Sequence, residues 1–86
     1  MVALEVLRAV AHPVRLAILA ECEGRGRTLA DIAGHVGVSR PSARQHVGVL
    51  IDAGLLDDRE GVLVSTSAGW ADVLLALERL RVSSTS

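Results

Sequence analysis

The chain has 86 residues, half of them apolar, with nine arginines and no lysine against ten acids, for a formal net charge of −1. That length holds one domain and leaves no room for a separate catalytic one, and a domain so short buries only about 60–65 % of the surface its unfolded chain exposes, so a partner subunit would help its core. Trp70 is the single aromatic residue, which excludes nucleic-acid readers built on stacked rings and interfaces anchored by them.

In chain order, Leu4, Leu7 and Val10 or Ala11 recur at helical spacing and predict a short first helix before His12. Pro13 opens a second helix, where its fixed φ fits and its missing N–H is no loss. Leu16, Leu19 and Cys22 or Glu23 continue that helix, flanked by Ile18, until Gly24-Arg25-Gly26-Arg27 forms an exposed turn. Thr28 is an N-cap for a third helix, with Asp31 favouring its N-terminus and Leu29, Ile32, Ala33 and Val36 on its apolar face. Gly37 ends it and Ser39 caps a fourth helix with Pro41 in its first turn, so only about three residues join the two helices. Ala43, Val47 and Leu50 point that helix to the core until Gly54 supplies a left-handed stop.

The period then changes. Leu55-Leu56-Asp57 and Val62-Leu63-Val64-Ser65 are β-prone and flank the polar Asp58-Arg59-Glu60-Gly61, which predicts a small hairpin. Thr66 to Gly69 lead into a last helix carrying Val73, Leu74, Leu77 and Leu80 or Arg81, and residues 83–86 form a frayed polar tail. The expected fold is mainly α, about five helices with one hairpin in the order α-α-α-α-β-β-α, a single domain over residues 1–82.

Two helices joined by a short glycine-containing turn form a helix-turn-helix, whose second helix can lie in the DNA major groove. The small residues fit this: Ala33 where the helices approach, Gly37 for a positive backbone angle, Val38 under the corner. With Ala43, Val47 and Leu50 inward, Arg40, Pro41, Arg44, Gln45 and Gly48 face outward, with Ser42 at the edge. No acid lies between Ile32 and Ile51, a window that holds Arg40, Arg44, His35 and His46, so this segment is locally basic on a nearly neutral protein.

Three motifs resemble those of the ArsR-type winged-helix repressors. Ala11-His12-Pro13-Val14-Arg15-Leu16-Ala17-Ile18-Leu19 is similar to the opening of the family's second helix, where an acid more often precedes the proline. Val36 through Leu50 is similar to its turn and recognition helix, and Asp52-Ala53-Gly54-Leu55-Leu56 to the exit into the wing. The resemblance covers the chain from about Leu4 to Leu80. It implies a homodimeric repressor that binds a pseudo-palindromic operator, with the first and last helices forming the dimer interface through Leu4, Leu7, Trp70, Val73, Leu74 and Leu77. The surplus of apolar residues on those two helices points to dimerisation independently. The lone cysteine fits a cytoplasmic address.

The DNA-contact set is Ser39, Arg40, Ser42, Arg44, Gln45, His46 and Arg59. An arginine can pair with guanine O6 and N7 or bind phosphate without reading sequence. Ser39 is chiefly a cap, and His46 is either a DNA contact or a partly buried, locally bonded helix residue. Gly48 either lets another backbone approach or is simply tolerated. Asp57, Asp58 and Glu60 surround Arg59 and repel phosphate, which makes the wing more structural than functional. Cys22 is a small core residue, and as the lone cysteine it excludes an intramolecular disulfide and a two-cysteine metal site.

Many relatives of this type release DNA on binding metal through paired cysteines in the third helix or acid and histidine ligands in the last. The third helix here has no cysteine and the last no histidine. The expectation is therefore no metal and no cofactor, with any small-molecule or protein effector unspecified. No uninterrupted apolar run reaches 18 residues and no leader pattern opens the chain, so a membrane role and processing are not expected. Nucleophile–base pairs, paired carboxylates and phosphate loops are missing at the spacing chemistry needs, which argues against an enzyme. The near-neutral total charge and acidic wing motivate one rival, a winged-helix module that binds protein instead of DNA.

Overall fold

The computed structural model describes residues 2–66 together with Leu75, Glu78 and Arg79. Its elements are α1 (Val2–Val10), α2 (Pro13–Glu21), β1 (Arg27–Thr28), α3 (Leu29–Val36), α4 (Arg40–Asp52), β2 (Leu56–Arg59) and β3 (Val62–Ser65). Leu75, Glu78 and Arg79 are helical. The rest of the expected last helix, with Trp70, Val73, Leu74 and Leu77, and the tail over 83–86 lie outside the described residues.

Local chemistry sets the helix boundaries. The His12 ring accepts the Val14 N–H through Nδ1 at 3.2 Å and so caps α2 ahead of Pro13. Thr28 and Asp31 form a reciprocal capping box: Thr28 Oγ1 accepts the Asp31 N–H at 3.1 Å, and Asp31 Oδ2 accepts the Thr28 N–H at 3.2 Å. Those bonds hold the Asp31 carboxyl below its ordinary pKa. Gly37, at φ 81, stops α3 in the left-handed region, where the Ala33 carbonyl accepts from both Gly37 and Val38. Ser39 Oγ then accepts the Ser42 N–H at 3.2 Å and starts α4.

The core is one aliphatic cluster. Ile18, Leu19 and Cys22 of α2 pack with Ile32 and Ala33 of α3 and with Ala43, Val47 and Leu50 of α4; Val6, Ala9 and Val10 close one side, and Leu55, Leu56 and Leu63 the other. Each large aliphatic side chain so buried contributes about 1.5–3 kcal/mol. Burial pushes the Cys22 thiol up to about 11, with a smaller contribution from the neighbouring Glu21 carboxylate.

The buried face of α1 is Val6, Ala9 and Val10, which leaves Leu4 56 % exposed and Leu7 half-buried outside the core. Three expectations are corrected. Leu16 is 42 % exposed, since Ile18, Leu19 and Cys22 fill the space beneath α2. Arg27 is not in a free turn: with Thr28 it forms β1, paired antiparallel to β3 in the register Arg27↔Leu63, so the wing sheet has three strands in the order β1-β3-β2. Gly26 lets this strand approach, because a Cβ there would collide with Val62. Finally, Asp58 and Arg59 belong to β2, opposite Leu63 and Val62. The hairpin turns on Glu60 and Gly61 alone, both at positive φ (56 and 87), the combination that suits the twist of a two-residue loop. Asp58 Oδ1 accepts the Gly61 N–H at 2.9 Å and steadies that turn.

Candidate nucleic-acid interface

The three-residue link Gly37-Val38-Ser39 sets α3 against α4, with Val38 partly buried beneath the corner. Buried Ala43, Val47 and Leu50 fix the rotation of α4 about its own axis. Arg40, Pro41, Arg44 and Gln45 are consequently exposed, while Ser42 and Gly48 are half-buried at the margins. Ser39 is exposed at the N-terminus of α4, where its hydroxyl occupies the Ser42 amide. Among the described residues, neither Arg40 nor Arg44 has an ion-pair partner. Two unneutralised guanidiniums one turn apart, beside the partial positive charge of a helix N-terminus, make this surface electropositive.

Three other cations, Arg27, His35 and Arg59, are engaged with carboxylates. Glu21 ties the end of α2 to its neighbours, its Oε2 lying 3.3 Å from Arg27 Nη2 and 3.0 Å from His35 Nδ1. In the wing, Arg59 Nε lies 3.2 Å from Asp57 Oδ2 in an exposed pair. The wing thus offers its one arginine already paired, beside the carboxylates of Asp58 and Glu60.

His46 lies on the opposite flank of α4 from Arg44, turned toward α2. Its ring sits 4.6 Å from that of His12, and Arg15 Nη1 lies 3.4 Å from its Nδ1. Desolvation first, then His12 and Arg15, lower its pKa. Arg15 itself spans three helices. Its Nε donates to the Ala9 carbonyl and its Nη2 to the Arg8 carbonyl at 3.1 Å, which satisfies orphan acceptors at the C-terminus of α1 with a positive charge. Arg15 belongs to the Ala11–Leu19 motif, and the sequence signal for this task is an arginine two residues beyond a helix-opening proline.

The flank of α4 nearer the wing carries Arg44, Gly48 and Ile51 and borders a cleft of about 330 Å³, with Asp58, Gly61 and Leu63 across from it. Spacing alone could not have put Asp58 and Gly61 opposite α4, since their position depends on how the hairpin folds back. No group of three or more His, Cys, Asp or Glu side chains suited to a metal ion, and no helix long and apolar enough to cross a membrane, occurs among the described residues.

The helix-turn-helix domain family matches residues 10–59, from the end of α1 to the end of β2. The transcriptional repressor SdpR of Bacillus subtilis (strain 168) is 35 % identical over 60 residues, which cover 69 % of this chain and 67 % of that protein. NolR from Sinorhizobium fredii superposes with a TM-score of 0.77 at 28 % identity, covering 92 % of this chain and 83 % of its own. The homodimeric winged helix-turn-helix DNA-binding domain Mb0332 of Mycobacterium bovis, a possible ArsR-family transcriptional regulator, superposes at 0.74 and 23 % identity over 96 % and 79 % of the two chains, a likeness of fold.

Proposed function

Because this chain belongs to the helix-turn-helix domain family and has the winged fold of ArsR-type regulators, we propose that it is a dimeric transcriptional repressor that sets α4 into the major groove of a pseudo-palindromic operator. The observation that carries this reading is the pair of unneutralised guanidiniums, Arg40 and Arg44, on the exposed surface of a helix whose rotation the core fixes. Arg40, Arg44 and Gln45 meet base edges or phosphates, with Ser42 at the margin and the helix N-terminus at Ser39 beside a phosphate. His46 holds α4 against α2 from the other flank. Arg59 reaches phosphate only by exchanging its Asp57 partner.

Dimerisation uses α1 and the last helix, through Leu4, Leu7, Trp70, Val73, Leu74 and Leu77. It is supported by the exposure of Leu4 and Leu75, at 56 % and 60 %, and by the homodimeric state of the Mb0332 domain. The protein binds and does not turn over a substrate, and it works in the cytoplasm, where the operator DNA is. Selection of binding fragments from a random DNA pool, followed by footprinting, tests the reading. Two protected half-sites with centres about 10–10.5 base pairs apart are expected, because two-fold symmetry places the recognition helices in successive major grooves. A lone half-site, or no selected sequence, contradicts it.

A further inference from the structure

Gly48 stands inside the thirteen-residue α4, where a glycine weakens a helix relative to alanine. Its own fold gives no reason for it. A Cβ built there meets nothing within 4 Å, unlike Gly26, and no positive φ calls for glycine, unlike Gly37 or Gly54. It lies four residues after Arg44 and three before Ile51, on the flank that forms the helix wall of the cleft facing the wing.

When a helix occupies a major groove about 12 Å wide, the sugar–phosphate ridges bordering that groove run along its flanks. On the wing side of α4, the space open to such a ridge is this cleft. We propose that Gly48 is the point where one DNA strand's backbone touches α4, its missing side chain letting the ridge sit between the helix and the wing turn. The inference rests on the DNA-binding reading above.

The two walls agree with it. Gly61 on the wing wall also lacks a side chain, and the charges are divided, with Arg44 on the helix and Asp58 across from it. The Gly61 N–H holds Asp58 Oδ1 at 2.9 Å, so that carboxylate is fixed in place. A phosphate in the cleft is drawn to the helix wall by Arg44 and kept off the wing wall by Asp58, which brings the strand to Gly48.

The test compares Gly48→Ala, Gly34→Ala and Arg44→Ala in the full chain, measuring the thermal midpoint and the affinity for a selected operator fragment. Gly34 is the matched control: it too is inside a helix with nothing within 4 Å of a built Cβ, and it does not line the cleft. Both glycine variants are expected to raise the midpoint by about 3–8 °C. Gly48→Ala is expected to weaken operator binding about tenfold or more, while Gly34→Ala stays within about twofold of the parent. Unchanged binding by Gly48→Ala, or equal loss in both glycine variants, overturns the contact while leaving the DNA-binding reading intact, provided Arg44→Ala still weakens binding. A parent chain that binds no fragment overturns both.

Discussion

Replacing Arg15 with alanine tests how the first helix is held, and the structure allows the size of the effect to be worked out. Arg15 donates to the carbonyls of Ala9 and Arg8 and approaches His46, so one guanidinium joins α1, α2 and α4. Hydrogen bonds from a charged group contribute about 1.5–3 kcal/mol, and a cation at a helix C-terminus about 0.3–1 kcal/mol. Arg15 is only half-buried, so solvent screens part of this and the expected loss for Arg15→Ala is about 2–3 kcal/mol. In a domain of this size that lowers the thermal midpoint by roughly 8–24 °C. Arg15→Lys keeps the charge at the helix end but cannot reach both carbonyls as a fork, so about half the loss should return. Thermal and urea denaturation of the three proteins measure this directly, with amide exchange in α1 reporting whether that helix loosens first. A midpoint for Arg15→Ala within about 2 °C of the parent would refute the reasoning.

Two further outcomes follow from titrating groups. His46 is held below its ordinary pKa by burial, His12 and Arg15. The unfolded chain therefore binds a proton that the folded chain resists, and stability should fall as pH drops through and below the ordinary histidine value near 6.5. His46→Gln should flatten that part of the pH–stability curve, and an unchanged slope counts against the junction described. Cys22 is buried, with its thiol raised to about 11, so an alkylating reagent at pH 8 should label it only at the rate of unfolding; labelling as fast as a free thiol contradicts its place in the core.

Much of the fold was legible because the glycines, prolines and caps act through short-range rules. Thr28 with Asp31, Gly37 and Ser39 each fix a boundary that depends on neighbours within a few residues, and the inward series Ala43, Val47 and Leu50 fixes the outward one on α4. What was not legible depended on long-range packing. Leu4 and Leu7 have the same periodicity as Val6, Ala9 and Val10, and only the position of α2 decides which set the core takes. Leu16 lost its place to Ile18 in the same way. β1 is two residues with no alternating pattern of its own, and exists because β3 offers a free edge at Val62 and Leu63. In the site, the exposed arginines followed from helix geometry, whereas the turn of His46 toward His12 and Arg15 and the facing of Asp58 across the cleft required the tertiary fold.

The central claim, that Arg40 and Arg44 meet DNA, is tested most directly by the salt dependence of operator affinity for the parent and for the Arg40→Ala/Arg44→Ala variant. Each phosphate contact removed should take about 0.9 from the slope of log affinity against log salt. On a symmetric dimer the variant should lose about 3.6 if both arginines touch phosphate, and about 1.8 if one of them reads a base edge. A variant whose affinity and slope both match those of the parent would place the DNA on some other surface.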